Sequence, residues 1–360
     1  MYLWRVWNRN ARLRATDSDN WRDLMRTFSH FITALSTALL FFFVLQPSPA
    51  HADWHNRTDS IMGTRIFVEL WQDDAAQAQQ LMQQVMDEMH RIDNLMSPFK
   101  ETAQLAIVNR DAAKKPVKID PELFSLILIS NYYSELSGGI FDITFASLGH
   151  LYDYRKGIKP DEAQRRAGQA LIDYRSMQLD TKKHTIFFPH EGMRIDLGGI
   201  AKGYAVDRAC EILVNAGVTN AIVTAGGDSR LIGDRRGRPW MIGIKHPRAD
   251  AHAITLPLDN ISISTSGDYE RFFEEDGVRY HHIIDPRKGD SARDVVSVSI
   301  LAKNSTDADA LDNVVFILGP EKGMAFANRL PGVSAILIDH TGKVYYSDDL
   351  MPPSEKPNTP

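Results

Sequence analysis

Residues 63–71 alternate between apolar and polar side chains, with Ile66, Val68 and Leu70 at every second position. This period of two predicts a strand with one buried face. In residues 73–96 the apolar period lengthens to three or four, which is typical of an amphipathic helix. Its apolar positions are Leu81, Val85, Met89, Ile92 and Met96. The domain is therefore expected to start with a strand and a long helix.

Four further helices are predicted from similar signals. Residues 121–139 begin with proline and end in glycine, the asymmetry expected of a helix. Another helix is expected over about 200–216, and two more follow at about 306–318 and 321–329. The charged residues 160–172 are expected to form a surface segment.

Short apolar runs between turn residues predict the remaining strands. They are MQLD, TIFF, MRIDL, NAIVTA, SRLIG, WMIGIK, ISIST, VVSVSIL, SAILID and KVYYS. Helices and strands in this mixed order predict one α+β (mixed α/β) domain over residues 53–350, with mixed sheets and flanking helices.

The chain of 360 residues opens with a segment of different character. Residues 31–45 carry no charge but are too short for a comfortable membrane span of about 20 residues. Two arginines precede this run and Ala-His-Ala follows it, which predicts a signal peptide over residues 1–52 and an exported, periplasmic protein. Met25 is an alternative start, and an uncleaved membrane anchor is the alternative interpretation.

Composition adds three limits. The formal net charge of −5 gives no reason to expect a nucleic-acid partner. The single cysteine, Cys210, excludes an internal disulfide and is expected to pack within a helix. The Pro-rich residues 351–360 are expected to be a disordered tail.

The stretch RIDLGGIAKGYAVD, residues 194–207, places two glycines where a predicted strand meets a predicted helix. Its glycines fit neither the dinucleotide-binding fingerprint G-x-G-x-x-G nor the phosphate-binding P-loop. The helix N-terminus still offers free N–H groups to an anion, with Lys202 as a nearby cation and Asp196 as an acceptor. A tight turn with surface charges explains the stretch equally well.

Other segments favour a ligand site. TAGGD and STSGDYERFF are turns of small residues with acids, and HHIIDPRKG places two histidines before a strand and an Asp-Pro turn. In DADALDN the side chains of Asp309, Asp312 and Asn313 share one face of a helix's first turn. These residues either cap the helix or supply the oxygen ligands that Mg²⁺ prefers.

Taken together, these segments resemble the FAD:protein FMN transferases, the ApbE-type flavin transferases. The motifs MGT, GGIFDIT, IDLGGIAKGYAVD, AGGD, STSGDY, HHIIDPRKG and ADALDN occur in the family's order. The resemblance implies Mg²⁺-dependent cleavage of the substrate FAD, in which FMN moves through a phosphoester bond to a threonine or serine of a target protein and AMP leaves. It implies exported flavoproteins as partners, such as subunits of ion-pumping redox complexes.

The resemblance also implies roles for individual residues. The implied FAD contacts are Met62, Phe99, Ile140, Phe141, Asp142, Asp196, Lys202 and Ile284. The implied metal ligands are Asp309, Asp312, Asn313 and the carbonyl of Gly199. His282 matches a histidine that is expected to remove a proton from the attacking hydroxyl or to position it. An unperturbed imidazole pKa of about 6.5 suits that task near neutral pH.

Two departures from the family pattern bear on activity. Asn313 stands where the family usually has threonine, and Ala103-Gln104 replaces a Ser-Glu pair that is expected near the active-site entrance. Both changes are expected to weaken activity or to alter the preferred metal.

Two alternative functions remain open. An FAD pyrophosphatase would use water in place of the protein hydroxyl and release FMN and AMP. A non-catalytic FAD-binding protein would keep its FAD unchanged in the presence of Mg²⁺.

Overall fold

The structure, a computed structural model, describes residues 53–249 and 252–351. The helices are α1 (Ala75–Met96), α2 (Gln104–Asp111), α3 (Pro121–Leu136), α4 (Ala146–Gly149), α5 (Glu162–Gln169), α6 (Ala201–Asn215) and α7 (Ser305–Ala327). The strands are β1 (Asp53–Ile61), β2 (Thr64–Gln72), β3 (Val117–Lys118), β4 (Gln178–Asp180), β5 (Thr185–Phe187), β6 (Ala221–Ala225), β7 (Asp228–Ile232), β8 (Trp240–Lys245), β9 (His252–Leu258), β10 (Ser262–Gly267), β11 (Phe272–Glu275), β12 (Val278–His281), β13 (Ile284–Asp285), β14 (Asp290–Ser291), β15 (Val295–Ala302), β16 (Ser334–Asp339) and β17 (Val344–Tyr346). The predicted signal peptide and all but the first residue of the predicted tail lie outside the described residues.

Eight of these strands form one sheet, in the order β1-β2-β6-β7-β10-β15-β16-β17. Smaller sheets join β3-β5-β4, β8-β9, β11-β12 and β13-β14. Every pairing between these named strands is antiparallel. The predicted α+β class is confirmed, and the sheets are antiparallel instead of mixed. Neighbouring strands are antiparallel because the hairpin or longer connection between them reverses the direction of the chain.

Helices α1, α6 and α7 cover one face of the large sheet and enclose the main core. Strand β2 buries Ile66, Val68 and Leu70, as its period of two predicts. Helix α1 buries all five of its predicted apolar positions. Burying one such side chain contributes about 1.5–3 kcal/mol, so the burial of these five side chains holds the helix on the sheet.

The hairpin of β8 and β9 covers the opposite face of the large sheet. Ile244 packs on Ile263 of β10 in one small apolar cluster, and Trp240 packs on Ile222 of β6 in another. Successive strand residues point to opposite faces, so Ile222 faces the hairpin while its neighbours Ala221 and Val223 belong to the main core. The hairpin thus closes the side of the sheet that carries no helix of the main core.

Residues 193–197, the predicted strand MRIDL, belong to no sheet. The N–H of Ile195 donates to Asn109 Oδ1 at 2.8 Å, and its carbonyl accepts from Asn109 Nδ2 at 2.9 Å. The N–H of Asp196 donates to the carbonyl of Ile143 at 2.9 Å. A side chain and a loop therefore satisfy backbone groups that a strand would have paired, which is why the prediction was wrong.

The surface segment 160–172 contains a helix that was not predicted, α5, whose start is fixed by reciprocal hydrogen bonds between Asp161 and Gln164. The predicted pair of helices at 306–318 and 321–329 is confirmed, because the range α7 consists of two helices that meet at a kink at Gly319, whose φ is 80°. Within the described part of the chain, no helix combines the length and apolar character needed to cross a membrane.

The buried face of α6 includes Ala205, Ala209 and Leu213, whereas Ala216, directly after the helix, is exposed. Cys210 is buried in the same face, as predicted. Small side chains on this face let α6 pack closely against its neighbours.

Candidate functional site

A cleft of about 1430 Å³ collects residues that are far apart in the sequence. Of the thirteen predicted site residues, twelve line it, namely Met62, Phe99, Ile140, Phe141, Asp142, Asp196, Gly199, Lys202, His282, Ile284, Asp309 and Asn313. The remaining one, Asp312, is fully buried directly behind Asn313, to which it is hydrogen-bonded. The structure therefore brings the predicted residues together, while the role of each stays a prediction.

Met62 enters the cleft from the turn between β1 and β2. Met62 and Gly63 form this two-residue turn, and both have positive φ, 56° and 71°. Such turns match the twist of a hairpin, but a positive φ is strained for methionine. Residues held in this conformation concentrate at ligand sites, and Met62 is the strained residue that faces this cleft.

Three buried carboxylates meet beside the cleft and form the acidic cluster (Asp228, Asp309 and Asp312). One oxygen of each lies within 4.8 Å of the others. The residues are 1%, 1% and 0% exposed. Asp228 was not among the predicted metal residues. Its signal in the sequence was the AGGD motif, whose glycines form the β6–β7 turn and deliver the acid to the start of β7.

Hydrogen bonds fix the acidic cluster in place. The Ser264 hydroxyl lies within hydrogen-bonding distance of both Asp228 and Asp312, at 2.6 Å from the latter. Asn313 Nδ2 donates to the Asp309 carbonyl at 2.9 Å and to Asp312 Oδ1 at 2.8 Å. Because both of these partners are acceptors, the amide nitrogen of Asn313 faces them and its oxygen remains available to a ligand.

Lys202 is the one cation among the described residues that contacts the acidic cluster. Its Nζ lies 2.5 Å from Asp228 Oδ2 and 3.3 Å from Asp309 Oδ1. Lys202 was predicted to contact FAD, and the structure places its Nζ on the carboxylates at the edge of the cleft. Burial opposes its charge, but the neighbouring carboxylates outweigh burial and raise the pKa of Lys202.

The acidic cluster carries more negative charge than Lys202 balances. Three carboxylates and one ammonium leave a formal charge of −2. Burial, reinforced by the charge of Asp228, raises the pKa of Asp309 to about 7. Burial and the charge of Asp309 likewise raise the pKa of Asp312. A site that is short of positive charge and rich in carboxylate oxygen fits a hard divalent cation such as Mg²⁺.

The N-terminus of α6 is less open to an anion than predicted. The N–H of Ala201 donates to the Leu197 carbonyl at 2.7 Å. The N–H of Gly203 donates to Asp309 Oδ2 at 2.9 Å, so an acid of the protein itself occupies that donor. A Cβ on Gly203 would lie 2.2 Å from the carbonyl oxygen of Ser305. Only glycine permits this approach, which docks the start of α7 onto α6.

Gly199 is enclosed by two other predicted site residues. A Cβ at this position would lie 3.1 Å from Asn313 Nδ2 and 3.5 Å from the ring of Phe141. The backbone of Gly199 therefore borders both the acidic cluster and the aromatic lining. Next to it, Asp196 Oδ1 accepts from the N–H of Gly198 at 2.6 Å, and burial raises the pKa of Asp196.

His282 follows β12 and lines the cleft. Its Nδ1 is buried and has no hydrogen-bond partner within the described residues. Burial, followed by the nearby charges of His281, Arg271 and Lys202, lowers the pKa of His282 to about 3. The imidazole is therefore neutral at pH 7, the form that accepts a proton. In contrast, the ring of His281 is hydrogen-bonded to the Ala292 carbonyl at 2.5 Å and supports the fold.

Comparison with known proteins shows the family. Residues 62–337 match the family model described as the ApbE family. A curated FAD:protein FMN transferase from Treponema pallidum is 33% identical, over 79% of this chain and 84% of its own length. The chain belongs to the ApbE family. The predicted family and the prediction of an enzyme, a flavin transferase, are thereby confirmed.

Solved ApbE structures share the fold. The ApbE protein from Thermotoga maritima matches with a TM-score of 0.77 and 33% identity, over 82% of this chain and 98% of that chain. The flavin transferase ApbE from Vibrio cholerae matches with a TM-score of 0.74 and 27% identity, over the same shares of both chains, 82% and 98%. The single-domain α+β architecture is therefore the ApbE fold.

Aromatic side chains line another part of the cleft of this ApbE-family protein and form the aromatic wall (Phe99, Phe141, Tyr152 and Tyr154). Phe99 is 84% exposed, although it is large and apolar. Tyr152 stacks on Tyr154, with ring centroids 5.6 Å apart. Phe141 is only 6% exposed, so Phe99 is the ring of this set that offers an exposed surface on which a planar ligand can stack.

Asp142 has a structural task within the same lining. Its Oδ1 accepts from the N–H and hydroxyl of Thr144 at 2.8 and 2.6 Å, and its Oδ2 accepts from the N–H of Tyr174 at 3.0 Å. The carboxylate therefore holds the loop after Phe141 in shape. The predicted contact of Asp142 with FAD thus competes with three internal hydrogen bonds.

Asp207 was missed by the sequence reasoning. Its carboxylate accepts from the N–H of Ser305 at 2.9 Å and from the N–H of Thr306 at 2.8 Å, and it pairs with Arg230 at 2.7 Å. It thereby caps α7, the helix that carries Asp309. The last letter of the family motif IDLGGIAKGYAVD was the signal, but nothing in the sequence pointed to its partner.

The Ala103-Gln104 pair does not line the cleft. Ala103 is fully buried, and Gln104 Oε1 accepts from the N–H of Asp120 at 2.6 Å. The pair itself is not part of the lining, but Lys100 and Asn109 on either side of it are, so its place near the active-site entrance stays a prediction. The pair starts α2 and ties it to the segment before α3.

Proposed function

We propose that this protein catalyses Mg²⁺-dependent cleavage of FAD and transfers FMN to a threonine or serine hydroxyl of an exported flavoprotein, with release of AMP. The observation that carries the proposal is the meeting of the acidic cluster and the neutral His282 at one cleft, whose volume of about 1430 Å³ exceeds that of ordinary small-ligand pockets. Relatives that are 33% identical bear the name FAD:protein FMN transferase.

The acidic cluster supports the proposed metal dependence. Asp309 and Asp312 would hold the ion, together with the amide oxygen of Asn313 and the carbonyl of Gly199. When bound, Mg²⁺ supplies positive charge against the pyrophosphate of FAD, where negative charge grows as AMP departs. Asparagine offers a neutral oxygen in place of the hydroxyl of threonine, so Asn313 is compatible with this role.

His282 supplies the proton acceptor in the proposed reaction. The acceptor hydroxyl oxygen bonds to the phosphorus on the FMN side of the pyrophosphate, and the bond from that phosphorus to the bridging oxygen breaks. The hydroxyl proton passes to a nitrogen of the neutral imidazole, and AMP leaves with the electron pair. The negative charge of bound FAD would offset the positive charges of Arg271 and Lys202. This would raise the pKa of His282 toward a value suited to a base.

The predicted signal peptide extends the proposal to location. We place the protein and its acceptors in the periplasm, where a covalently attached FMN cannot be lost by diffusion. The proposed acceptors are exported flavoproteins, among them subunits of ion-pumping redox complexes.

The test combines the purified protein with FAD, Mg²⁺ and an exported flavoprotein domain that carries the acceptor threonine. Mass spectrometry of the intact acceptor should show a gain of one FMN, and the His282→Ala variant should not produce this gain while it still binds FAD. Free FMN and AMP without any gain would identify a pyrophosphatase. FAD that stays bound and intact would identify a binding protein.

A further inference from the structure

We propose that Lys202 is a tethered competitor of the metal: its ammonium neutralises Asp309 in the metal-free protein and must give up Asp309 when a divalent cation binds. On this view Lys202 lowers the metal affinity of the site. The inference rests on the metal site of the proposed function, and its test needs neither FAD nor an acceptor.

The two contacts of Lys202 are unequal. Its Nζ is 2.5 Å from Asp228 Oδ2 but 3.3 Å from Asp309 Oδ1. The bond to Asp228 is a short charge-assisted hydrogen bond, whereas the longer contact is the weaker of the two. Asp228 is therefore the anchor of Lys202, and Asp309 is the partner that a metal ion can take over.

The anchor itself is held rigidly. Asp228 follows Gly227, where a Cβ would lie 2.2 Å from the carbonyl oxygen of Thr265. The turn is thus pressed against β10, and the Ser264 hydroxyl of that strand contacts the Asp228 carboxylate. Lys202 consequently stays close to the acidic cluster after it has left Asp309. Its side chain is 26% exposed, which gives it room to move into the cleft.

Electrostatics make the competition strong. The carboxylates are almost completely buried, so water screens little of the charge that they feel. In the metal-free state the Lys202 ammonium already neutralises part of the negative charge of the acidic cluster. A cation bound at Asp309 gains less than it would at an unpaired carboxylate, and it also meets repulsion from the nearby ammonium.

The test is a calorimetric titration of the metal-free full chain with Mg²⁺. The Lys202→Met variant should bind Mg²⁺ at least about tenfold more tightly than the wild type, since it lacks the competing charge. The Asp228→Asn variant should bind Mg²⁺ more weakly, because Lys202 loses its anchor and rests on Asp309 alone.

A double variant separates competition from net charge and from folding. The Lys202→Met, Asp228→Asn double variant keeps the summed formal charge of the acidic cluster and position 202 at −2, as in the wild type, but it has no ammonium beside Asp309. It should also bind Mg²⁺ more tightly than the wild type, and circular dichroism checks that it is folded. This variant keeps the proposal testable if Lys202→Met alone does not fold without metal.

Equal or weaker Mg²⁺ binding by the folded variants that lack Lys202 would overturn the inference, and so would a complete absence of binding by them. Failure of the proposed function has a different signature. It appears as the lack of FMN on the acceptor with the wild-type protein, whatever the order of the metal affinities.

Discussion

The acidic cluster and Phe99 of the aromatic wall border the same cleft but are held in opposite ways. Members of the cluster are at most 1% exposed, and each is held by hydrogen bonds from another element of the fold. In the wall, Phe99 is 84% exposed. Buried carboxylates repel one another and must be held by hydrogen-bond donors. An exposed aromatic ring offers apolar surface to a ligand without such partners. Substitutions in the cluster should therefore affect the chemical step, and substitutions in the wall should affect binding.

The largest effect is expected from Asp312→Asn. Transfer of FMN should fall at least about 100-fold, the scale on which loss of one preorganised electrostatic group acts. The metal-free protein should melt no lower than the wild type, because one of three mutually repelling buried charges is gone. Single-turnover transfer and thermal unfolding measure the two quantities. Retained transfer would show that the cluster does not serve the chemical step.

Gly203→Ala should act on the fold that supports the cluster. The added methyl group would meet the Ser305 carbonyl oxygen at 2.2 Å and force α6 and α7 apart. We expect a loss of about 1–3 kcal/mol in the free energy of unfolding, as for overpacking elsewhere. Urea unfolding measures it, and an unchanged midpoint would contradict the close docking of the two helices.

The depressed pKa of His282 predicts a pH dependence of stability. The folded protein keeps this imidazole neutral down to about pH 3, whereas the unfolded chain binds the proton below about pH 6.5. Acid therefore favours the unfolded chain through this group, and its contribution to stability is lost as the pH falls from about 6.5 toward 3. In the His282→Gln variant the free energy of unfolding should fall less steeply over that range. The same slope in both proteins would show that His282 titrates normally.

Phe99→Ala tests the contribution of the aromatic wall to FAD binding. Stability should change by less than about 0.5 kcal/mol, since the ring is largely exposed. The KM for FAD should rise about 3- to 10-fold while kcat stays the same, which is the pattern of a group that binds the ground state and the transition state equally. Steady-state kinetics distinguish this from a fall in kcat, which would give the wall a part in the chemical step.

The smallest effect is expected from Gln104→Glu, which restores one residue of the family pattern. The side chain accepts the N–H of Asp120 and does not line the cleft. Because a glutamate oxygen can accept the same hydrogen bond, kcat/KM should change by less than about twofold. A larger gain would place this segment in the path of the acceptor protein.

Periodicity was sufficient for the elements that pack on the main core. The spacing in β2 and α1 predicted their type and their buried residues, because one apolar face repeats at the period of the element. It failed for MRIDL, whose backbone is paired by the side chain of Asn109, 86 residues away. It also failed for α5, a solvent-exposed helix with little apolar face to detect.

The candidate site shows the same limit. Motif order led to the cleft residues and to Asp309, but the contacts of Lys202 lie 26 and 107 residues from it along the chain. A sequence shows that a lysine and an aspartate are present, not that they meet. Asp228 and Asp207 were overlooked for this reason. Their importance depends on partners that only the packing of α6, α7 and the large sheet brings together.

The contact between Asp207 and the start of α7 links the candidate site to the interior of the fold. The backbone N–H groups of Ser305 and Thr306 donate to the Asp207 carboxylate, and the helix that begins at these residues carries Asp309 and Asp312. The start of α7 therefore cannot fray without uncovering the core, and its amide hydrogens should exchange only when the whole domain opens. Inherited changes at this junction would accordingly reduce the amount of folded protein in the cell before they reduced the turnover of each molecule.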